Sequence, residues 1–137
     1  FLHAIADNPP DELMRSINPG FFFGTHTIYE NVPLMIIPIA SYEHAFAGML
    51  AWEPSLNDDM TPLFSLVHYE KPDAEGVPQL VGFEDVLIKN YDVRALRDPN
   101  GDIKMLYSFP SRNFLIISER PHSFVEALAR LRAERRL

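Results

Sequence analysis

Five histidines and nineteen carboxylates are the side chains of this chain that could hold a metal ion or move a proton. Their spacing does not assemble either site locally. HExxH, HxH and histidine pairs four residues apart are absent, and Tyr42-Glu43-His44 puts its polar groups on adjacent helix positions rather than on one face. A site would have to be built through space, from His26, His44, Glu43, Glu53, Asp58 and Asp59; the plainer expectation is that such histidines are hydrogen-bonded structural groups. No metal or cofactor is expected.

Other motifs resolve in the same direction. Asp98, Asn100 and Asp102 resemble the opening of a calcium loop, but glycine falls fourth instead of sixth and Phe109 stands where a bidentate glutamate is needed, so a β-turn is expected. Asn57-Asp58-Asp59 could be clustered oxygen ligands or paired carboxylates; ahead of a helix such residues usually cap it. No GxSxG, SxxK, GxGxxG or Walker A sequence occurs, so neither nucleophilic catalysis nor phosphate cradling has local support. Cysteine is absent, which removes thiolate chemistry and disulfides and leaves the redox compartment open.

Binding residues are expected among the aromatics and the arginines. Trp52 and the Phe21-Phe22-Phe23 run could anchor a partner, with core packing as the commoner use. Arg130, Arg132, Arg135 and Arg136 could touch an acidic protein or anionic lipid, or simply form a solvated face. The net charge of −7 is unevenly spread. Residues 1–88 carry Arg15 and Lys71 against thirteen acids, a balance of −11, and residues 89–137 carry ten basic groups against six acids, +4. Such polarity permits self-association, although two halves of one fold can also cancel. An acidic chain without an aromatic-interleaved basic stripe is a poor match for nucleic acid.

The elements that must position these residues read as a single α+β domain over residues 1–137: an antiparallel sheet of about five to six strands packed on two central helices and a C-terminal helix. Pro9-Pro10 before Asp11-Glu12 starts a short helix to Ile17, which Asn18-Pro19-Gly20 ends. Phe21 to Ile28 and Leu34 to Ile39 form a hairpin of strands buried on both faces. Ser41 caps a helix over Tyr42–Glu53 that has almost no polar side and should be central. A second helical stretch follows from Ser55, restarting at Thr61-Pro62. EKPDAEGVPQ at 70–79 is a loop. Four strands then form a meander, Phe83–Ile88, Tyr91–Arg97, Ile103–Phe109 and Phe114–Ser118, turning at Asp98-Pro99-Asn100-Gly101-Asp102 with Ile103, Met105, Tyr107 and Phe109 on one face. Ser123 and Glu126 make a capping box for the last helix, striped by Phe124, Ala127, Leu128 and Leu131.

Two segments, FFFGTHTIYENVPLMIIPIASYEHAFAGMLAWEPSLNDDMTPLF and FEDVLIKNYDVRALRDPNGDIKMLYSFPSRNFLIISERPHSFVEALARL, resemble an uncharacterised protein family of candidate-phyla (Patescibacteria-type) bacteria. The likeness lies in the FAGMLAWE helix, the later Pro62-Leu63-Phe64, the DVRALRDPNGD hairpin with its LYSF return strand, and the LIIS strand entering the last helix, and covers about four-fifths of the chain; the arginine-rich end departs from it. It implies an extracytoplasmic α+β domain held by a membrane segment upstream, and fits a chain that starts at Phe1 rather than Met. No apolar stretch here is long enough to span a bilayer, and a cytoplasmic location is the alternative.

Three functions follow as expectations. The first is a non-catalytic interaction or structural module of a bacterial envelope protein, partnered by another envelope protein. The second is a metal-dependent or acid–base hydrolase assembled around His26, His44 and Asp58. The third is a small-ligand or glycan binder, whose mark would be exposed aromatics lining a groove.

Overall fold

Alternation along the second half of the chain dictates its strands, and the computed structural model, which describes residues 10–16, 22–26, 32–61, 64 and 82–137, places them nearly where the pattern does. In chain order the elements are α1 (Asp11–Ser16), β1 (Phe22–His26), β2 (Val32–Pro38), α2 (Tyr42–Asp59), β3 (Glu84–Ile88), β4 (Tyr91–Arg97), β5 (Ile103–Ser111), β6 (Phe114–Ser118) and α3 (Pro121–Ala133). All six strands join one sheet in the order β1-β2-β6-β5-β4-β3, every pairing antiparallel. The expected hairpin is the β1–β2 pair and the expected meander runs from β3 to β6. The turn at 18–20, the loop at 70–79 and the helix restart at Pro62 lie outside the described residues.

The helices lie on opposite faces of the sheet. Met35, Ile37, Met105, Leu115 and Ile117 meet Ala45, Met49, Trp52 and Leu56 of α2 on one face, with Leu13 of α1 behind them. On the other face Leu34, Val93, Leu106, Phe114 and Ile116 meet Phe124, Ala127, Leu128 and Leu131 of α3. That arrangement accounts for β6, FLIIS, whose five residues are all buried: a central strand covered on both sides is apolar at four successive positions, Phe114 to Ile117, and its one polar residue, Ser118, donates its hydroxyl to the Arg120 carbonyl at 3.0 Å.

Four local expectations are corrected. The break expected between Glu53 and Ser55 does not occur, because α2 runs unbroken from Tyr42 to Asp59 with Pro54 inside it; only the Leu50 carbonyl forfeits an N–H partner. Helix α2 is also not buried all round, since Phe46, Ala47, Leu50 and Ala51 form an exposed apolar side. Ile103 leaves the face of Met105 and Tyr107 for the α3 side, because Arg97 pairs with Ile103 while Leu96 pairs with Met105, making Lys104 the extra residue of a bulge. Finally, Ser123 does not cap α3: Arg120 is the N-cap, Pro121 takes the first turn, and Ser123 is buried inside it. Ser41 does stand at the N-cap of α2, but its hydroxyl meets His44 Nδ1 at 3.1 Å instead of a backbone N–H.

Two of the three turns of the meander show their chemistry plainly. Lys89 and Asn90 both have positive φ, the two-residue pattern that matches strand twist in a tight hairpin. At the next turn Asp98 Oδ1 accepts the N–H groups of Asn100 (2.9 Å) and Asp102 (3.0 Å), and Gly101 sits at φ 89°. The carboxylate is committed to the turn, as expected of a β-turn rather than a calcium loop.

Candidate functional site: a groove beside α2

Among the described residues, helix α2 covers the centre of the sheet and leaves the β3–β4–β5 end of the same face open. Cross-strand register arranges that end as two rows. Asp85 pairs with Arg94 and Arg94 with Tyr107; one pleat further along, Leu87 pairs with Asp92, next to Phe109. Tyr42, Phe46 and Glu53 of α2 rise beside these rows as a wall.

Three residues of the first row and wall form one cluster. Arg94 donates from Nε to Glu53 Oε1 and from Nη2 to Glu53 Oε2, both at 2.8 Å, a bidentate pair. Its Nη1 donates to Asp85 Oδ1 (3.0 Å), and Nη2 also reaches the Phe83 carbonyl (3.1 Å). Tyr107 completes the set by donating its hydroxyl to Glu53 Oε1. Hydrogen bonding to Glu53 raises the pKa of Arg94, and burial, followed by the Glu53 carboxylate, raises that of the Tyr107 phenol. The acid, the base and the phenol are thus spent on one another, which is the chemistry of a strut between helix and sheet rather than of a proton shuttle.

A groove of about 530 Å³ lies on one side of this strut, bounded by Tyr42, Phe46, Asp85, Asp92, Tyr107 and Phe109. A second hollow, about 440 Å³, lies on the other side between Leu50, Pro54, Asp58, Gly82 and Leu96. The aromatic wall is continuous: ring centroids are 5.8 Å apart for Tyr42 and Phe46, 6.0 Å for Phe46 and Phe109, and 6.4 Å for Tyr107 and Phe109. Phe46 is 37% exposed, Leu50 39% and Leu87 64%.

The residues singled out by sequence are dispersed. Trp52 is corrected from a possible exposed anchor to a core residue, 1% exposed, whose Nε1 donates to Asp59 Oδ2 at 2.7 Å; Ser55 donates to the same oxygen at 2.9 Å. Asp59 is therefore a buried acceptor, while the Asp58 carbonyl receives Thr61 Oγ1. Glu43 pairs with Arg112, and its carboxyl is held below the usual range by a backbone hydrogen bond and then by that guanidinium. His44 meets Ser41, and the side chain of His26 lies outside the described residues. Glu43, Glu53 and Asp59 thus serve three different partners, and no cluster of three metal-ligating side chains occurs among the described residues.

On α3, Arg132 lies over the Tyr91 ring (5.4 Å) and donates to its hydroxyl at 2.8 Å, and Arg136 lies over Phe114 (4.9 Å) and near Glu134 (3.6 Å). Arg130 and Arg135 are exposed. The site residues missed by sequence reasoning are Arg94, Tyr107, Asp85, Asp92, Phe46 and Phe109. Alternation did place Tyr107 and Phe109 on one face, but that Asp85, Asp92 and Arg94 lie beside them depends on register, and register depends on turns and bulges.

Comparison with protein-family models, with curated proteins and with solved structures finds no match for this chain.

Proposed function

We propose that this protein is a non-catalytic interaction module, part of a membrane-anchored bacterial envelope protein, that binds another envelope protein through the open face of α2 and the groove beside it. The observation that carries the binding face is the apolar outer side of α2. A helix whose inner side already fills the core has no structural need for Phe46, Ala47, Leu50 and Ala51 on its outer side, and such a surface, continuous with an aromatic groove and edged by Leu87, is characteristic of a contact site. The strut supports a non-catalytic role, since it fixes the groove's geometry while engaging its titratable groups internally. Envelope placement is supported by the family resemblance of the two segments; no helix among the described residues is long and apolar enough to cross a membrane.

The test is affinity capture of the protein after gentle extraction from native membranes, comparing wild type with Phe46→Asp/Leu50→Asp. A stoichiometric partner captured by the wild type and lost by the variant supports the reading; a partner retained in full by a folded variant refutes it. A second reading, a small-ligand or glycan binder, is favoured by the same aromatics lining a groove of ligand size. Saturable binding of a cell-wall oligosaccharide, with quenching by the groove aromatics, would establish that alternative.

A further inference from the structure

We infer that the groove recognises a cationic side chain, an arginine or lysine on a segment of the partner protein, seated over Phe46 and Phe109 beside the Asp92 carboxylate. This rests on the interaction-module reading and gives the partner a chemistry. Three independent observations converge on it.

The first is charge. Arg94 faces two carboxylates, Glu53 and Asp85, so the strut is already acidic by one charge. Asp92 adds another, exposed and with no ion pair or side-chain hydrogen bond among the described residues. The groove is therefore negative, and a cation on the partner is its electrostatic complement. The second is the wall. Phenyl and phenol faces carry negative potential, and a cation within about 6 Å of a ring centroid is attracted to it. Phe46 and Phe109 have no cation above them among the described residues, whereas their neighbour Tyr42 does.

That occupied ring is the third observation. Arg112 sits 5.0 Å over the Tyr42 centroid while pairing with Glu43, so the end of the groove already shows an arginine held between a ring and a carboxylate. Phe46 and Phe109, with Asp92, offer the same pair of partners one step further along. The aliphatic stem of an arginine or lysine would cover Leu87 and the ring edges while its head met the acid.

The probe is the blocked peptide Leu-Arg-Leu, matched with Leu-citrulline-Leu, which keeps the shape of the arginine but loses its charge and exchanges one terminal NH2 donor for a carbonyl acceptor. Each is titrated into the isotopically labelled 137-residue chain, and backbone amide shifts are followed. The arginine peptide is expected to move amides of Tyr42–Phe46 and Asp92–Arg94, and the citrulline peptide to bind about tenfold more weakly. Asp92→Asn should produce the same loss with the arginine peptide, Phe46→Ala a comparable one, and Asp102→Asn, in the remote turn, none. Equal binding of both peptides in the groove overturns cation recognition and leaves the interaction face standing. Shifts scattered over every exposed acid, or none in the groove, overturn the inference, and the capture experiment above then decides separately whether the face binds a partner.

Discussion

Arg94 of β4 and Glu53 of α2, 41 residues apart in sequence, are joined by two hydrogen bonds of 2.8 Å that tie the open end of the sheet to the middle of the long helix. Both side chains are largely shielded, 24% and 13% exposed, so breaking the pair leaves a charge that water only partly compensates. Glu53→Gln should destabilise the fold by about 2 kcal/mol, less than a fully buried pair because Arg94 keeps some solvent and Asp85. Replacing both residues with methionine should cost less than the sum of the single changes. Urea unfolding of the two singles and the double gives the coupling directly; additivity would deny that the pair acts as a strut.

Trp52 is the chain's single tryptophan, which makes its contact with Asp59 readable without interference. Two acids in the last turn of α2, Asp58 and Asp59, oppose the helix dipole, and satisfying the buried indole N–H is the compensating gain for Asp59. Asp59→Ala should cost about 1–3 kcal/mol by leaving that donor unpaired. Asp59→Asn, which retains an acceptor oxygen, should cost less. Both should shift Trp52 emission, with the alanine variant shifting further.

The Tyr107 phenol gives an alkaline signature. Its pKa is raised in the folded state by burial and by Glu53, so the stability it contributes is complete below the ordinary phenol value of about 10 and declines as pH rises further, where the unfolded chain ionises first. Stability should therefore fall with pH above about 10, and Tyr107→Phe should flatten that decline. Denaturation midpoints across pH 8–11.5 (roughly, spanning that value) test this; an unchanged slope in the variant would assign the alkaline loss to other groups.

Gly48 marks the closest approach of α1 to α2. A Cβ there would lie 2.8 Å from the Leu13 backbone nitrogen and 2.9 Å from its Cβ. Alanine normally favours a helix over glycine by about 1 kcal/mol, but here overpacking should outweigh that preference and Gly48→Ala should destabilise by about 1–2 kcal/mol. Faster amide exchange in Asp11–Ser16 would show that α1 is what is displaced.

Legibility from sequence followed the range of the forces involved. The strands from Glu84 to Ser118 and the turn at Asp98 were readable because alternation and turn chemistry are local. The capping box at Ser123 misled because Pro121, two residues earlier, is a stronger start signal. A break is expected between Glu53 and Ser55, but the one hydrogen bond that Pro54 removes is tolerable where Trp52 and Leu56 on either side are packed into the core. The groove was the least legible part. Sequence groups Glu53 with His26, His44, Glu43, Asp58 and Asp59, whereas its partners are Arg94 and Tyr107, brought to it by a long crossover from β2 to the outer strand β3. The exposure of Phe46 was hidden for a related reason, since an all-apolar helix reads as buried unless the sheet is known to cover one side of it.

The central claim is that the outer side of α2 and the groove beside it form the binding face. Hydrogen exchange of the protein alone and with its captured partner tests this most directly. Protection concentrated in residues 43–54 and in β4 and β5, with α3 unchanged, is the predicted result. Protection confined to α3 around Arg130 and Arg135, with α2 exchanging as it does in the free protein, would contradict the account.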